Sequence, residues 1–541
     1  MLNIVLSVLM LTGLPKVKAL LENTGPYEEP GKINENTPNV QVLSEGYPGG
    51  TNGSWRVSVL QGEGHNNIAV INDTIVVVAF SKATTDATFY MQGLTLYYSL
   101  DGGQTFTGQY DIDVTPTART YPDTYYDRLT GNLWVVSQIY PVGGTAARKI
   151  LVVKDENVPE FGGGMTTPYY FDVNMFGPSI VAKGDTVVWI ASSNTTGNFE
   201  GFRSFDGGET WEPITCAIDQ STYQPDLLLV GENTLVIAAI NYTGNTMDYP
   251  YFWVSYDWGE TWNGPDSILP TPYTEYNFTS WWYDASTIAW NNKVYWFGNY
   301  GEAGYEGGML WLFTYDPFQR TIEESLVHGT AIPIIDTLTG DTTGWGTGLP
   351  YSVIPCAAKT LDERYLMVFY LDVLEEGGYG IKFRYTEDGV NWTDPVEAFP
   401  AGEDYNTRFE IQPHVPVLYT DEAVTFRYYF LGGYSGNNYI NLLWLPGTQT
   451  VGIREKRPSE MFVVRPTVIT GNMKIEFALS KNSNVEVQVY NAAGQKVADL
   501  YKGTLNAGSH RLTFDANFGK GIYFVTVTVD GKSTSRKILV K

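Results

Sequence analysis

The sequence predicts an all-β protein, a seven-bladed β-propeller followed by a small Ig-like antiparallel β-sandwich. Three observations support this prediction. A two-strand pattern recurs seven times before residue 448, a short turn phrase recurs four times in the same region, and residues after 458 alternate between apolar and polar side chains. Aromatic residues make up 14% of the chain and glycine occurs 56 times, which suits short strands joined by tight turns.

The recurring two-strand pattern defines the blades. GPSIVAKGDTVVWIAS (177–192) and QPDLLLVGENTLVIAA (224–239) each read as an apolar strand, a polar turn and a second apolar strand. The copies are anchored at Asn67, Pro122, Pro178, Pro225, Asp284, Pro355 and Pro413. Their steps of 47 to 71 residues leave room for about four strands per copy, which is typical of a β-propeller. We expect each hairpin to supply the first two strands of a blade.

The turn phrase has the form Ser/Thr-x-Asp, then glycine, then an aromatic residue. It occurs as SLDGGQTF from residue 99, SFDGGETW from 204, SYDWGETW from 255 and TEDGVNW from 386. The carboxylate can accept backbone N–H groups across the turn, glycine permits positive φ, and the ring packs into the sheet. These phrases resemble the Asp-box (BNR) repeats of sialidase-like propellers, over residues 49–447. The resemblance implies peripheral, structural roles for Asp101, Asp206, Asp257 and Asp388.

The same resemblance raises the question of sialidase-type catalysis. That chemistry needs three arginines around the substrate carboxylate, together with a tyrosine nucleophile and acidic partners. The family's first arginine lies in a Phe/Tyr-Arg-Ile/Leu-Pro motif, which this sequence lacks, because SWRVSV around Arg56 has no proline. Arg119 and Arg408 lie near first-strand anchors and are the remaining candidates. Whether the protein is an enzyme therefore stays open at this point.

Polar residues near the anchors are the candidates for a ligand-binding site. Equivalent positions after the proline anchors carry two aspartates and a histidine, and unpaired carboxylates are rarely buried between apolar sheets, so we expect them to face a central channel. An aromatic segment precedes another first strand, and flat rings stack on sugars. The candidate residues are Asp123, Asp226, His414, Trp281, Trp282 and Tyr283. The alternative is that backbone N–H groups satisfy both carboxylates and that nothing binds there.

The C-terminal region differs from the rest in charge and in pattern. Residues 459–541 contain 11 Lys and Arg against 6 Asp and Glu, a net charge of +5, which leaves 23 against 53 and a net charge of −30 for residues 1–458. The VYNAAGQKV hairpin, the strand start at Gly521 and the closing KILV at 537–540 resemble the C-terminal sorting domain of the type IX secretion system. That resemblance implies export across an outer membrane. Sandwiches of flagellar-hook assembly proteins and generic accessory domains are the alternatives.

The N-terminus suggests an export signal. Leu2 to Leu14 is a continuous apolar stretch too short to span a bilayer, and VKA at 17–19 resembles a cleavage site, although no basic residue precedes the stretch. A buried strand is the alternative. The resulting domain prediction is a signal peptide at 1–19, a linker at 20–48, the propeller at 49–447, a linker at 448–458 and the sandwich at 459–541. We expect Cys216 and Cys356 to be two free buried thiols, and a single disulfide between them is the alternative.

Charge and motifs limit the possible partners. The net charge of −25 argues against nucleic-acid or anionic-membrane partners, and no segment of the mature chain is apolar enough to cross a membrane. No metal, phosphate or nucleophile motif is found, so no metal and no cofactor are expected. His65 and His414 fall on neighbouring blades and are read as hydrogen-bonded channel histidines, with a metal or catalytic pair as the alternative.

These observations predict a secreted or cell-surface propeller that recognises an extracellular glycan or protein and meets the secretion machinery through its C-terminal domain. An exo-acting glycoside hydrolase of sialidase type is the enzymatic alternative, and a non-catalytic envelope or adhesion protein is the third possibility. The identity of the ligand does not follow from the sequence.

Overall fold

The structure is a computed structural model of the chain. It describes residues 41–48, 66–72, 74–83, 91–106, 108–112, 116–117, 122–139, 148–156, 158, 164–218, 222–243, 246–276, 278–302, 308–329, 332–335, 342–346, 352–373, 379–402, 409–411, 414–420, 423–435, 439–451, 463–465, 468–469, 472–479, 482–491, 494–506, 508–515 and 518–540. The signal peptide predicted at 1–19 lies outside these residues, as do His65 and the arginine candidates Arg56, Arg119 and Arg408.

Short antiparallel strands make up nearly all of the regular structure. The strands up to residue 171 are β1 (Gln41–Pro48), β2 (Ile68–Val70), β3 (Val76–Ala83), β4 (Met91–Ser99), β5 (Gly108–Asp111), β6 (Pro116–Thr117), β7 (Asp123–Asp127), β8 (Asn132–Ile139), β9 (Lys149–Glu156), β10 (Gly164–Met165) and β11 (Tyr169–Phe171). The next are β12 (Met175–Lys183), β13 (Thr186–Ser193), β14 (Phe199–Ser204), β15 (Glu212–Cys216), β16 (Thr222–Val230), β17 (Thr234–Thr243), β18 (Thr246–Ser255) and β19 (Asn263–Asp266).

One short helix precedes the next group of strands. It is α1 (Thr271–Tyr276). The strands that follow are β20 (Phe278–Trp290), β21 (Lys293–Glu302), β22 (Met309–Asp316), β23 (Thr321–His328), β24 (Ile332–Ile335), β25 (Thr342–Gly346), β26 (Ser352–Thr360), β27 (Leu366–Val373), β28 (Tyr379–Thr386), β29 (Val396–Gly402), β30 (Phe409–Ile411), β31 (His414–Val415), β32 (Val417–Tyr419), β33 (Val424–Ser435) and β34 (Tyr439–Val451).

The C-terminal strands belong to a separate compact unit. They are β35 (Val463–Arg465), β36 (Val468–Ile469), β37 (Asn472–Leu479), β38 (Ser483–Asn491), β39 (Lys496–Leu505), β40 (Gly508–Asp515), β41 (Gly521–Val529) and β42 (Lys532–Val540). This C-terminal unit comprises residues 419–424 and 450–541, and the first unit comprises the residues up to 418 together with 425–449.

Four-stranded antiparallel meanders repeat along the first unit. One sheet has the order β12-β13-β14-β15, and the same order of first to fourth strand recurs in β2 to β5, β7 to β10, β16 to β19, β20 to β23 and β26 to β29. The second strands are buried along nearly their whole length, as in TVVWIASS at 186–193. A strand that is apolar on both faces is covered on both faces, so these sheets lie against neighbouring sheets, as the blades of a propeller do.

The first strands of successive blades lie side by side. Strand β2 contacts β7, and the contacts continue through β12, β16, β20 and β26 to β31, which returns to β2. Lys359 of β26 pairs in parallel with His414 of β31, so these first strands run in the same direction. The fold is therefore an all-β propeller followed by a sandwich. The count of seven blades stays a prediction, because the first strand of the last blade is divided by residues 412–413, which lie outside the described ranges.

The last blade takes its outer strand from the N-terminal side of the chain. Strand β1 pairs antiparallel with β34, with Gln41 opposite Trp444 and Pro48 opposite Tyr439. The linker predicted at 20–48 includes residues 41–48, which the structure instead places in an edge strand that closes the ring. The sequence concealed this strand because its hydrogen-bonding partner lies about 400 positions away and QVLSEGYP lacks clean alternation. The predicted propeller end at 447 falls inside β34.

The C-terminal unit is a small two-sheet sandwich. One sheet has the order β35-β37-β40, and the other has the order β36-β42-β41-β38-β39. Alternate residues of β38 and β41, including Val485, Val487, Val525 and Val527, are fully buried and form one core with Ile475 of the first sheet. This is the inward and outward alternation that the sequence predicts for the region after residue 458.

Candidate functional site

The four Asp-box turns, at Ser99, Ser204, Ser255 and Thr386, each join the third and fourth strands of a blade. In the second, Ser204 Oγ donates to Asp206 Oδ1 at 2.7 Å, and Asp206 also accepts Thr210 N at 2.9 Å and Thr210 Oγ1 at 2.5 Å. These bonds from Thr210 lower the pKa of Asp206 to about 2. Asp101 and Asp257 bind in the same way, and Asp388 uses the Asn391 side chain in place of a threonine.

The Asp-box turns also pack against the preceding blade. Gly208 has φ of 90° and lies so close to Trp134 that a Cβ would approach that ring to 2.8 Å. Trp211 packs in the same cluster, and its Nε1 donates to the carbonyl of Gly208 at 3.1 Å. The turn therefore shapes its own hairpin and also fills the groove between two blades.

The first strands and their hairpin turns surround a central cavity of about 730 Å³. Here the central cavity means the space that extends from Asp123 and Asp226 to the hairpin turns at Arg128 and Asn292. Of the predicted site residues, Asp123, Asp226 and His414 all line it. The Asp-box turns bond to these same hairpin turns, as in Gly207 N to Asp185 O at 2.8 Å, so the described cavity reaches the Asp-box side of the propeller.

Asp123 is a fully engaged buried carboxyl group. Its side chain is 1% exposed. Oδ1 accepts Asn66 N at 2.8 Å, and Oδ2 accepts Ile180 N at 2.9 Å and Ser179 Oγ at 3.0 Å. Burial raises the pKa of Asp123 to about 7, and the accepted hydrogen bonds oppose that rise. Asp123 therefore joins its own strand to both neighbouring first strands.

Asp226 is buried with fewer partners. Its side chain is 6% exposed, and Oδ1 is 3.5 Å from Ser179 Oγ. Oδ2 has no hydrogen-bond partner among the described residues. Burial, together with the nearby charge of Asp123, raises the pKa of Asp226 well above its usual range. The raised pKa favours the protonated form of Asp226, whose Oδ2 keeps an open hydrogen-bonding position.

His414 lies further along the ring, beside Lys359 on the adjacent first strand. It is half-buried, and burial with the positive charges of Lys359 and Arg128 lowers the pKa of His414 well below its usual range. The imidazole is therefore neutral near pH 7 and offers one donor and one acceptor.

The basic side chains along the cavity are already engaged. Arg128 donates to the carbonyls of Val70 and Ile71 at 3.1 and 3.0 Å. Lys359 donates to the Ala289 carbonyl at 3.0 Å and pairs with Glu363 at 2.7 Å. In a third case, the Nζ of Lys183 lies 2.6 Å from the Glu232 carboxylate. Each of these cations reaches the hairpin turn of a neighbouring blade, so the cavity wall carries hydrogen-bonding groups with little uncompensated positive charge.

The aromatic candidates lie partly beyond what the structure describes. Trp281, Trp282 and Tyr283 belong to strand β20, but their side chains are outside the described set. Tyr169 and Tyr170 of the segment TTPYYFD are 45% and 44% exposed on β11, which pairs with the outer strand β9. That segment therefore lies at the rim of its blade. Its strand pairing could not be read from the sequence because the pattern there is too short.

Several residues that line the cavity were not among the candidates from the sequence. Arg128 and Glu363 come from hairpin turns, Lys359 comes from the end of β26, and Thr287 comes from the middle of β20. The repeat could have indicated these residues, because equivalent hairpins place their turns on the same rim of the propeller. From the sequence, those turns are interpreted only as connections between strands. Arg128 is the one arginine among the described lining residues. In the described part of the chain, no group of three His, Cys, Asp or Glu side chains is placed to hold a metal ion.

Known structures that are similar to this chain are distant. A Trypanosoma rangeli sialidase has 12% identity and a TM-score of 0.36, with 88% of this chain and 84% of that chain covered. An exo-β-1,3-galactanase from Phanerochaete chrysosporium has 12% identity and a TM-score of 0.30, with 68% and 96% covered. A Cellvibrio cellulosa α-L-arabinanase has 12% identity and a TM-score of 0.28, with 60% and 94% covered. Similarities this weak indicate no activity or substrate for this chain.

The C-terminal unit has a clear relative. Residues 466–541 match the family model of the secretion system C-terminal sorting domain, whereas a search of the curated proteins finds no significant match. No helix within the described ranges is long and apolar enough to cross a membrane. Residues 466–541 are thus a C-terminal sorting domain, through which the chain meets the secretion machinery and is exported by type IX secretion to the cell surface or the extracellular space.

Proposed function

We propose that the exported propeller binds an extracellular glycan in its central cavity. The observation that carries this proposal is the wall of the cavity, where the buried carboxyl groups of Asp123 and Asp226 lie among paired charges and neutral polar groups. Sugars present many hydroxyl groups and little charge, so they suit a site rich in fixed donors and acceptors. The volume of about 730 Å³ falls within the usual range of small-ligand sites.

Aromatic surface accompanies these polar groups. Tyr126 and Trp290 line the cavity together with the aliphatic parts of the first strands. Trp290 is held by a hydrogen bond from its Nε1 to the Glu363 carbonyl at 2.7 Å. Flat rings favour the C–H faces of sugars, and a mixture of apolar walls and a few fixed polar groups is usual for ligand pockets. We keep Trp281, Trp282 and Tyr283 as predicted ligand contacts.

The test is a glycan array probed with the purified full-length chain. We expect selected glycans to bind wild type, and Asp226→Ala to lose most of that signal. Asp257→Ala is the matched control, because it removes an aspartate of the same size from an Asp-box turn, and it should keep the signal. Trp282→Ala should weaken binding. If no glycan binds and a protein is captured instead, or if Asp226→Ala binds like wild type, the proposal is wrong.

Glycoside hydrolysis is the second candidate, because one observation favours it. The carboxyl groups of Asp123 and Asp226 both approach the hydroxyl of Ser179, at 3.0 and 3.5 Å. Many glycosidases use two nearby carboxyl groups, one a general acid with a raised pKa and the other an ionised nucleophile or base. Chromogenic aryl glycosides, with a fluorogenic sialoside beside them, distinguish the candidates: turnover that Asp226→Ala abolishes identifies an enzyme, and binding without turnover identifies a lectin-like protein.

A further inference from the structure

A regular series of hydrogen bonds ties the first strands of the propeller together. In each case a side-chain oxygen accepts the backbone N–H of the next first strand. Asp123 accepts Ile180 N at 2.9 Å, Ser179 accepts Leu227 N at 3.1 Å, and Ser286 accepts Ala357 N at 2.9 Å. These three bonds are called inter-blade bridges here.

The positions of the bridging residues follow a simple rule. Each lies four residues before the last paired residue of its strand, as Asp123 does before Asp127 and Ser179 before Lys183. Asp226 occupies the same position in β16 relative to Val230. Ser286 occupies it in β20, so Thr287 is the residue that the rule pairs with Asp226. The expected bridge between these two strands is therefore a hydrogen bond from the Thr287 backbone N–H to the Asp226 carboxyl group.

That bridge is not made. Strands β16 and β20 are neighbours, yet Asp226 Oδ2 and Thr287 Oγ1 both lack a hydrogen-bond partner among the described residues, and both atoms are buried. Both residues line the central cavity. Buried polar atoms without partners cost stability unless something satisfies them, so this interruption, the β16–β20 gap, leaves two unfilled hydrogen-bonding positions in residues of the cavity wall.

The chemistry of the two atoms restricts that partner. The Asp226 carboxylic acid and the Thr287 hydroxyl can each donate or accept one hydrogen bond. One hydroxyl group placed between them satisfies both, because it donates to one and accepts from the other. An ammonium group could donate to both atoms and a carboxylate could accept from both, so the choice between a neutral and a charged partner rests on the charges around the cavity.

The charges around the cavity disfavour an anionic partner. Five carboxyl groups line the cavity, from Asp123, Asp127, Asp226, Glu232 and Glu363, against the three cations Arg128, Lys183 and Lys359. Because burial raises the pKa of Asp123 and Asp226, the remaining three carboxylates nearly balance these cations. Two of these cations already form ion pairs with Glu232 and Glu363. The surrounding residues 1–458 carry a net charge of −30. An acidic sugar would therefore approach a negative field and find no unengaged lysine.

We propose that the β16–β20 gap is the subsite for a hydroxyl group of an uncharged sugar unit, held by Asp226 and Thr287. This proposal rests on the proposed glycan-binding function and names the class of sugar that the cavity selects. Thr287 is then a specificity residue, and Ser286 beside it is only part of an inter-blade bridge.

The experiment uses the full-length chain and two matched sets of probes. The first set contains the methyl glycosides of glucose, galactose and mannose, and the second contains the corresponding methyl uronides, which differ by one carboxylate. Saturation-transfer NMR ranks their binding, and calorimetry with the strongest binder measures affinity. We expect at least one neutral glycoside to bind, and we expect the affinity of its uronide to be lower by at least about tenfold.

Variants locate the subsite. Thr287→Val keeps the shape and removes the hydroxyl, and it should weaken the neutral glycoside about five- to tenfold, the scale of one hydrogen bond. Thr287→Ser keeps the hydroxyl and should stay within about twofold. Asp226→Asn should also retain binding, because an amide is uncharged and still donates and accepts. Ser286→Ala should lower the melting temperature without changing affinity.

The failures are distinguishable. If a neutral glycoside binds wild type and Thr287→Val equally, the gap holds only a water molecule and the subsite is wrong, while glycan binding stands. If uronides bind as tightly as neutral glycosides, the selection for uncharged sugars is wrong. If neither these probes nor any glycan on the array binds, the proposed function itself fails and the subsite fails with it.

Discussion

The propeller uses aspartate in two opposite environments. At the periphery, Asp206 lies in an exposed turn where Ser204 and Thr210 supply hydrogen bonds, and these lower its pKa to about 2. At the centre, Asp123 and Asp226 are buried between first strands, and burial raises the pKa of both. The peripheral carboxylates are charged and locally satisfied, whereas the central carboxyl groups have raised pKa values and line a cavity.

The difference shows why the repeated phrase and the functional site are separate. A turn needs a carboxylate that accepts several nearby N–H groups, and the next few residues of its own sequence supply them. A ligand site needs a group with an unused position, which arises where Asp226 fails to meet Thr287 across two blades. Local sequence therefore encodes the first kind of aspartate, and the assembled ring produces the second.

The largest effect is expected from Asp123→Ala. It removes the acceptor of Asn66 N, Ile180 N and Ser179 Oγ, and buried donors without partners should lower the free energy of unfolding of the propeller by about 2–5 kcal/mol. Chemical denaturation followed by tryptophan fluorescence measures the change. Ser286→Ala leaves one such N–H and should cost about 1–2 kcal/mol. Equal, small losses in both variants would contradict the bridging role of Asp123.

The pH dependence of stability should separate the two kinds of aspartate. The folded-state pKa of Asp123 is about 7, above the value of 3.8 in an unfolded chain, so the folded state binds more protons between these values and stability falls as pH rises from about 4 to 7. Burial also raises the pKa of Asp226, so this residue contributes to the fall in stability with the same sign. The Asp-box residues act oppositely, since stabilisation by Asp206 is lost only as pH falls from 3.8 to about 2.

Melting temperatures from pH 3 to 9 test this pattern. Each proton taken up on folding contributes a slope of about 1.4 kcal/mol per pH unit. Asp226→Asn cannot ionise, so its profile should be flatter than that of wild type on the alkaline side. Asp257→Ala should differ from wild type mainly above pH 4, where the wild-type carboxylate is charged. Parallel profiles for wild type and Asp226→Asn would show that Asp226 has an ordinary pKa.

A smaller effect is expected from Asp257→Ala at neutral pH. Asp257 accepts bonds from Ser255 and Thr261 across its turn, and removing such a capping group should cost about 1–2 kcal/mol. Glycoside affinity should not change, because the turn does not line the cavity. Unchanged stability with lost binding would reverse the assignment of this aspartate to the fold.

The smallest effect is expected from Tyr169→Ser. This ring is 45% exposed at the rim of its blade, with its centroid 6.1 Å from Trp211. We expect a change in unfolding free energy of about 0.5–1 kcal/mol and no change in glycoside affinity. A loss of binding equal to that of Asp226→Ala would move the ligand site from the central cavity to this rim.

Much of the fold could be predicted because its signals are local. Two apolar runs around a polar turn predict each hairpin, and the Asp-box phrase predicts the turn between the third and fourth strands of a blade. Strand β1 could not be predicted, because it pairs with β34 across the length of the propeller. The outer position of Tyr169 is likewise not encoded locally, since only its pairing with Val152 of β9 reveals it.

The site was partly predictable for the same reason. The repeat places Asp123 and Asp226 at equivalent positions on the two first strands that flank β12, so their approach to the cavity could be expected. The exact register of β20 could not, because a bulge between Ser280 and Ala285 shifts the equivalent of the anchor from Asp284 to the following residue. Both Thr287 and the β16–β20 gap can be identified only when that shift is known.

The most direct test of the account is a crystal structure of the full-length chain soaked with the neutral methyl glycoside that binds best. We predict a sugar in the central cavity with one hydroxyl oxygen within hydrogen-bonding distance of both Asp226 Oδ2 and Thr287 Oγ1, and the Asp-box turns unoccupied. A sugar bound beside the Asp-box turn of Asp206, or at the blade rim beside Tyr169, with only water in the β16–β20 gap, would contradict this account. It would show that the Asp-box turns do not serve the fold alone and that the central cavity is not the binding site.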